Sequence, residues 1–249
     1  FSVEGTQYFS VQPRLSTRFQ FNPAIGLKAS FVTMQQNVHL LTTNNFQELP
    51  LDLWMPTTDE ILPMRSWQAT VCTGGYLGKH YSWTAELYTK HIQNNIAYDD
   101  GALLFDGRNN WEEEIIRGER RAEGMELFLR RNKGRLPGWL GYTLSRTRNR
   151  LDELNRGEWF FDRYDRRHDI SLTLQYQLLE KVSFSCNWVY ATGNTVTLPI
   201  AAYSSLAGLE EGESPYTMTF IYGDRNNFRL PATHRLDLGM SFYKKKKRG

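Results

Sequence analysis

The sequence contains no run of 18 apolar residues, and its mean hydropathy is −0.55. A membrane-spanning helix needs about 20 mostly apolar residues, so none is encoded here. The opening FSVEGTQYFS lacks a charged-then-apolar layout, and no signal peptide is expected in that stretch. Cysteine is scarce: Cys72 and Cys186 are too few for a thiolate metal site or a disulfide framework. Charge of one sign is scarce too. Thirty basic residues against 27 acidic ones leave +3, whereas nucleic-acid binders concentrate basic charge on one face. Also absent are G-x-S-x-G, H-E-x-x-H, C-x-x-C and a phosphate-binding glycine loop. Neither an enzyme nor a bound cofactor or metal is therefore expected. Gly74, Gly75, Gly101 and Gly107 are isolated and read as turn or bulge residues.

What the chain has is aromatic residues, 14% of its length, and alternation. Strand side chains point by turns to opposite faces. Phe9, Val11, Pro13, Leu15, Thr17, Phe19 and Phe21 alternate with Ser10, Gln12, Arg14, Ser16, Arg18 and Gln20. A helix would smear Arg14 and Arg18 over the apolar side, so the segment is a strand. Pro13 is its flaw, because it removes one ladder hydrogen bond. The segment 164–193 repeats the pattern as a hairpin. His168, Ile170, Leu172, Leu174, Tyr176 and Leu178 share one parity, and Val182, Phe184, Cys186, Trp188 and Tyr190 follow after a turn at Leu179–Lys181. Further alternating segments cover about 24–36, 65–76, 81–93, 114–131, 138–147 and 233–243.

The connections between these segments alternate short and long. The long ones cover about 37–63, 94–112, 148–164 and 194–230. Outer-membrane barrels combine short periplasmic turns with long external loops in this way. Twelve residues at about 3.3 Å each, tilted by about 40°, cross roughly 30 Å, which clears an apolar band of about 25 Å. The expected fold class is all-β: a transmembrane antiparallel up-and-down β-barrel. Bacterial barrels close on an even strand count, and lipid does not tolerate open sheet edges. The whole chain, 1–249, is therefore expected to be one segment of a larger barrel domain, about nine strands of it.

Ten charged residues have the parity of a barrel lumen: Arg14, Arg18, Lys28, Glu86, Lys90, Glu126, Arg130, Asp169, Arg235 and Asp237. Their mixed signs suit a wall that holds a polar plug, and they equally suit a solvated channel wall. Cys72 is expected to face inward and Cys186 to face lipid, so no disulfide should join them. Among loop residues, Trp54, Met55 and Phe105 are candidates for ligand contact, with loop-on-loop packing as the other reading. Asp165, His168 and Asp169 read as a capped loop-to-strand junction, with Arg166 and Arg167 as partners, rather than as a metal site. The terminal KKKKRG reads as a solvated turn.

The strings GERRAEGMELFLRR, GWLGYTLSR, YDRRHDISLTLQY, WVYATGNTVTLP and RNNFRLPATHRLDLGMSFYKKKK occur in this order. Together they resemble the C-terminal barrel region of TonB-dependent outer-membrane receptors, over about residues 9–247. The resemblance implies a 22-stranded barrel with an N-terminal plug and uptake of a scarce nutrient (an iron chelate, cobalamin or a glycan) powered through TonB. The expected partners are the plug of the same polypeptide, the TonB complex, outer-membrane lipid and an unassigned ligand, and the expected location is the bacterial outer membrane. The plug and TonB box would lie outside this chain. A passive outer-membrane channel or an adhesin-type barrel shares the fold arguments, and a soluble sheet-on-sheet protein shares the alternation.

Overall fold

A computed structural model describes residues 2–3, 6–42, 52–98, 111–206 and 216–243. Nine long strands carry the alternating segments: β1 (Arg14–Asn22), β2 (Ile25–Gln36), β3 (Met64–Leu77), β4 (Tyr81–Tyr98), β5 (Ile115–Arg131), β6 (Gly138–Leu151), β7 (His168–Leu179), β8 (Val182–Ala191) and β9 (Thr233–Phe242). They lie side by side in chain order, each antiparallel to the next, and the two-residue strand Phe160–Phe161 adds onto β6. The result is the expected all-β meander.

The tight turns follow from local chemistry. Between β1 and β2 the Asn22 side-chain oxygen accepts from the Ala24 and Ile25 amides at 2.8 and 3.0 Å, an Asx turn. Gly78, at φ +63°, turns β3 into β4, and Gly134, at φ +102°, lies between β5 and β6. The glycines in mid-strand have another cause. Gly75 lies inside β3, where a Cβ would run into the Ala24 carbonyl oxygen, so it serves close strand approach rather than a turn or bulge. Gly101 and Gly107 lie outside the described residues.

Two boundaries differ from the sequence pattern. β1 begins at Arg14, just past Pro13, whose ring carries no amide for the ladder; the Pro13 carbonyl still accepts from Thr33 at 3.0 Å. β4 and β6 run on to Tyr98 and Leu151, past the end of their apolar alternation. The long connections also hold paired strands of their own. Val38–Thr42 pairs with Asp52–Pro56, Pro199–Leu206 with Tyr216–Tyr222, and Thr195–Val196 with Phe228–Arg229.

Burial is concentrated at one end of the sheet. The buried apolar clusters among the described residues lie at the long-connection end: Ile116, Leu151, Leu154 and Phe160 in one, Leu41, Ile61 and Ile96 in the other. Along the sheet itself, Leu15, Leu87, Leu127, Leu236, Leu238 and Phe242 stay exposed. No second layer covers the apolar face among the described residues.

Candidate functional site

Cross-strand partners share a face, so the register assigns every side chain to a side of the sheet. One row reads Arg18, Lys28, Cys72, Glu86, Glu126, Thr143, Asp169 from β1 to β7. Five of the ten charged candidates stand in that row. Arg14 and Lys90 share another, linked through Val32 and Gln68. Arg130 and Asp237 share a third through Trp139, Thr173 and Asn187, and Arg235 lies one step from Asp237. All ten therefore lie on a single face.

The other face carries the apolar set. Leu27, Thr73, Ala85, Leu127, Tyr142, Ile170 and Tyr190 form one of its rows. The two cysteines divide as their parity requires: Cys72 stands between Lys28 and Glu86, and Cys186 between Leu174 and Leu238.

At the long-connection end the charged face opens into a cavity of about 600 Å³. Its lining includes Arg14, Lys90, Arg120, Arg163, Tyr164 and Trp54. The carboxylate in this lining, Asp162, is already engaged: its Oδ2 meets Asn149 at 2.9 Å and Arg120 at 3.2 Å. The rest of the lining sets the cations Arg14, Lys90, Arg163 and Arg225 among neutral polar, aliphatic and aromatic side chains, so its net charge is positive and favours anions.

The loop candidates separate. Trp54 is 63% exposed and lines the cavity, whereas its neighbour Met55 points to the opposite side and packs on Leu41, Ile61 and Ile96. Met55 is thus a packing residue. Phe105 lies outside the described residues, as does the KKKKRG tail. The hairpin of Trp54 is fixed by buried His39, whose Nε2 meets the Leu62 carbonyl at 3.1 Å. Burial lowers the His39 pKa from its usual value, and the hydrogen bond to Leu62 opposes that shift only in part.

The Asp165, His168 and Asp169 group does not converge. Asp165 is wholly buried, takes the Thr147 amide at 2.6 Å and is ion-paired to Arg229. Its partner is therefore Arg229 and not Arg166 or Arg167, because the 194–230 connection folds back over the junction. His168 sits on the apolar face beside Leu144 and meets the Tyr142 hydroxyl at 2.9 Å. Asp169 is on the charged face, with Arg166 4.0 Å away. This is a capped junction, as its sequence suggested, with a different cation.

Two rings that the sequence reading passed over gather guanidinium groups. Arg121, Arg150 and Arg148 lie 4.6, 5.4 and 5.5 Å from the centre of Trp159. Arg229, Arg146 and Arg167 lie 5.2, 5.8 and 5.8 Å from that of Phe161. The signal was present as the R-x-R-x-R of Arg146, Arg148 and Arg150, which places three guanidinium groups on one face of a strand.

The same sheet recurs in solved structures. The iron transporter FrpB from Neisseria meningitidis (F3-3 variant) matches at a TM-score of 0.57 and 11% identity, over 93% of this chain and 32% of that one. The ferric-catecholate import receptor Fiu from E. coli K12, in its closed form, matches at 0.51 and 14% identity, over 92% and 34%. The fold is that of part of a TonB-dependent receptor barrel. This chain spans about a third of the length of either protein. No family model and no curated protein matches the sequence. Away from the long-connection end, one face of the meander is mainly apolar and the other is charged. A guanidinium on a lipid-facing strand costs about 2–4 kcal/mol at the bilayer midplane and about 0–1 near its edges. The division of charge across this sheet is what a lipid-water wall requires.

Proposed function

We propose that this chain is a wall segment of a TonB-dependent outer-membrane receptor that imports an anionic iron chelate. The observation that carries the reading is the net-cationic cavity at the long-connection end of the charged face, opposite an apolar face. Iron chelates, cobalamin and glycans are the cargo classes that such receptors take. Of these, an anionic chelate matches Arg14, Lys90 and Arg163 best, because guanidinium and ammonium groups gain most from an anion in a partly enclosed site. One solved neighbour is an iron transporter and the other a ferric-catecholate import receptor, which agrees with this choice.

The other eight charged candidates of this face, Arg18, Lys28, Glu86, Glu126, Arg130, Asp169, Arg235 and Asp237, face the lumen and hold the plug of the same polypeptide by ion pairs and hydrogen bonds. β1 and β9 each pair with one neighbour in the sheet. In lipid, such edges are satisfied by further strands of the same barrel.

The test is uptake of radiolabelled ferric-catecholate chelate by iron-starved cells that carry the full-length protein. Uptake should fail on collapse of inner-membrane energy and should drop at least tenfold in a Lys90→Glu, Arg14→Glu double variant. Uptake that persists without energy would make the barrel a passive channel. Uptake indifferent to the double variant would remove the anionic-ligand site.

A further inference from the structure

The arginines around Trp159 occupy the outward side of the wall, not the cavity side. On β4, β5 and β6 the apolar face runs up through Leu87, Met125 and Leu144, which stand side by side. The next row of the same face is Thr89, Glu123 and Arg146; then come His91, Arg121 and Arg148, then Gln93, Glu119 and Arg150. Rows on one face are about 6.6 Å apart along a strand. The change from aliphatic to guanidinium thus takes place within one row. Trp159, half-buried, lies over this patch, and indole rings favour the level where acyl chains give way to headgroups.

The charges within the patch do not cancel. Glu119 is shared by Arg150 at 2.5 Å, His91 at 2.8 Å and Arg121 at 3.7 Å, and Arg148 reaches Glu123 at 3.8 Å. Arg146 has its Nε buried without a hydrogen-bond partner, and Arg167 is close by at Phe161. Five guanidinium groups therefore face two carboxylates. The side chains of Arg121 and Arg150 are about half exposed, so their outer N–H groups remain open to a ligand. Guanidinium groups match phosphate oxygens two at a time.

We infer that this patch, centred on Arg121, Arg148, Arg150 and Trp159, seats the phosphate of a lipid headgroup in the outer leaflet. The acyl chains of that lipid would run down the Leu87, Met125 and Leu144 face. The inference rests on the reading of this sheet as a membrane wall, and it concerns a side of the wall that takes no part in ligand uptake.

The test is native mass spectrometry of the full-length protein released from nanodiscs that hold equal amounts of phosphatidic acid and phosphatidylcholine. Phosphatidic acid should be retained in clear preference. Each basic residue near an anionic headgroup is worth about a factor of five, so Arg121→Gln, Arg148→Gln, Arg150→Gln together should cut retention roughly a hundredfold. Arg235→Gln, on the opposite face, should leave it unchanged, and heat-modifiable gel migration should show the triple variant folded. Equal retention of both lipids by the wild type would overturn the site. So would full retention by the folded triple variant, or displacement of the lipid by millimolar inorganic phosphate. Recovery of the protein without detergent, outside the nanodiscs, would instead defeat the membrane-wall reading itself.

Discussion

Arg229 reaches back 64 residues to close an ion pair on the fully buried carboxylate of Asp165. It also donates to the Asp165 and Gly193 carbonyls, both at 2.9 Å, and its guanidinium lies over Phe161. This one side chain ties the end of the 194–230 connection to the start of β7. Arg229→Met leaves Asp165 buried and unpaired, a change worth about 3–5 kcal/mol. The expected outcome is faster tryptic cleavage within 194–230 while β7 and β8 stay protected. Asp165→Asn should release the connection less, since the amide oxygen can still accept from Thr147.

Adjacent residues on β5 test the two faces of the wall. Leu127 is on the apolar face and Glu126 on the charged one. Leu127→Arg should cost about 2–4 kcal/mol of folding stability in bilayers. Glu126→Arg should cost much less and can gain, because Glu126 now stands directly beside Glu86 and like charges so placed repel. Urea titration of the full-length protein refolded in liposomes gives both numbers.

The Trp54 hairpin should depend on pH through His39. The folded-state pKa is depressed, so the unfolded hairpin takes up the proton first. The stabilisation is fully present above about pH 6.5, the unfolded value, and is lost as pH falls from there through the lower folded value. Protease cleavage within 38–56 should rise over that acid window, and His39→Leu should flatten the profile.

Trp54 and Met55 should separate function from stability. Met55→Ala removes a half-buried contact with Leu41 and Ile61 and should cost about 1–2 kcal/mol, below the about 2–5 of a fully buried methionine. Trp54→Ala should leave hairpin stability unchanged within about 0.5 kcal/mol. It should weaken chelate binding about tenfold, read by isothermal titration of the full-length protein, as expected for an exposed aromatic anchor.

The strands were legible because each sets apolar side chains on one face against polar ones on the other, so its period of two survives from Ile25 to Phe31 and from Val182 to Tyr190. The parity of Arg18, Lys28 and Glu86 was legible for the same reason; their standing in one row was not, since that needs register. The overhangs of β4 and β6 were hidden because apolar alternation stops before Tyr98 and Leu151, although pairing continues. The hairpins within 37–63 and 194–230 were hidden because their strands are short and carry adjacent apolar residues, such as Leu40 with Leu41 and Phe220 with Ile221, instead of a clean period of two. Asp165 with Arg229, and Arg121 with Trp159, join distant segments, and nothing local marks them.

The row from Arg18 to Asp169 has one further consequence. It begins with two cations on β1 and β2 and passes to carboxylates on β4, β5 and β7. Neighbouring strands are about 4.8 Å apart, so the sign of charge reverses within roughly 15 Å of circumference. The wall therefore carries a sideways electric gradient as well as a polar surface. Any body lodged against it has one favoured angle about the barrel axis, and a turn away from that angle brings like charges together. The strip works as a compass bearing written into the wall.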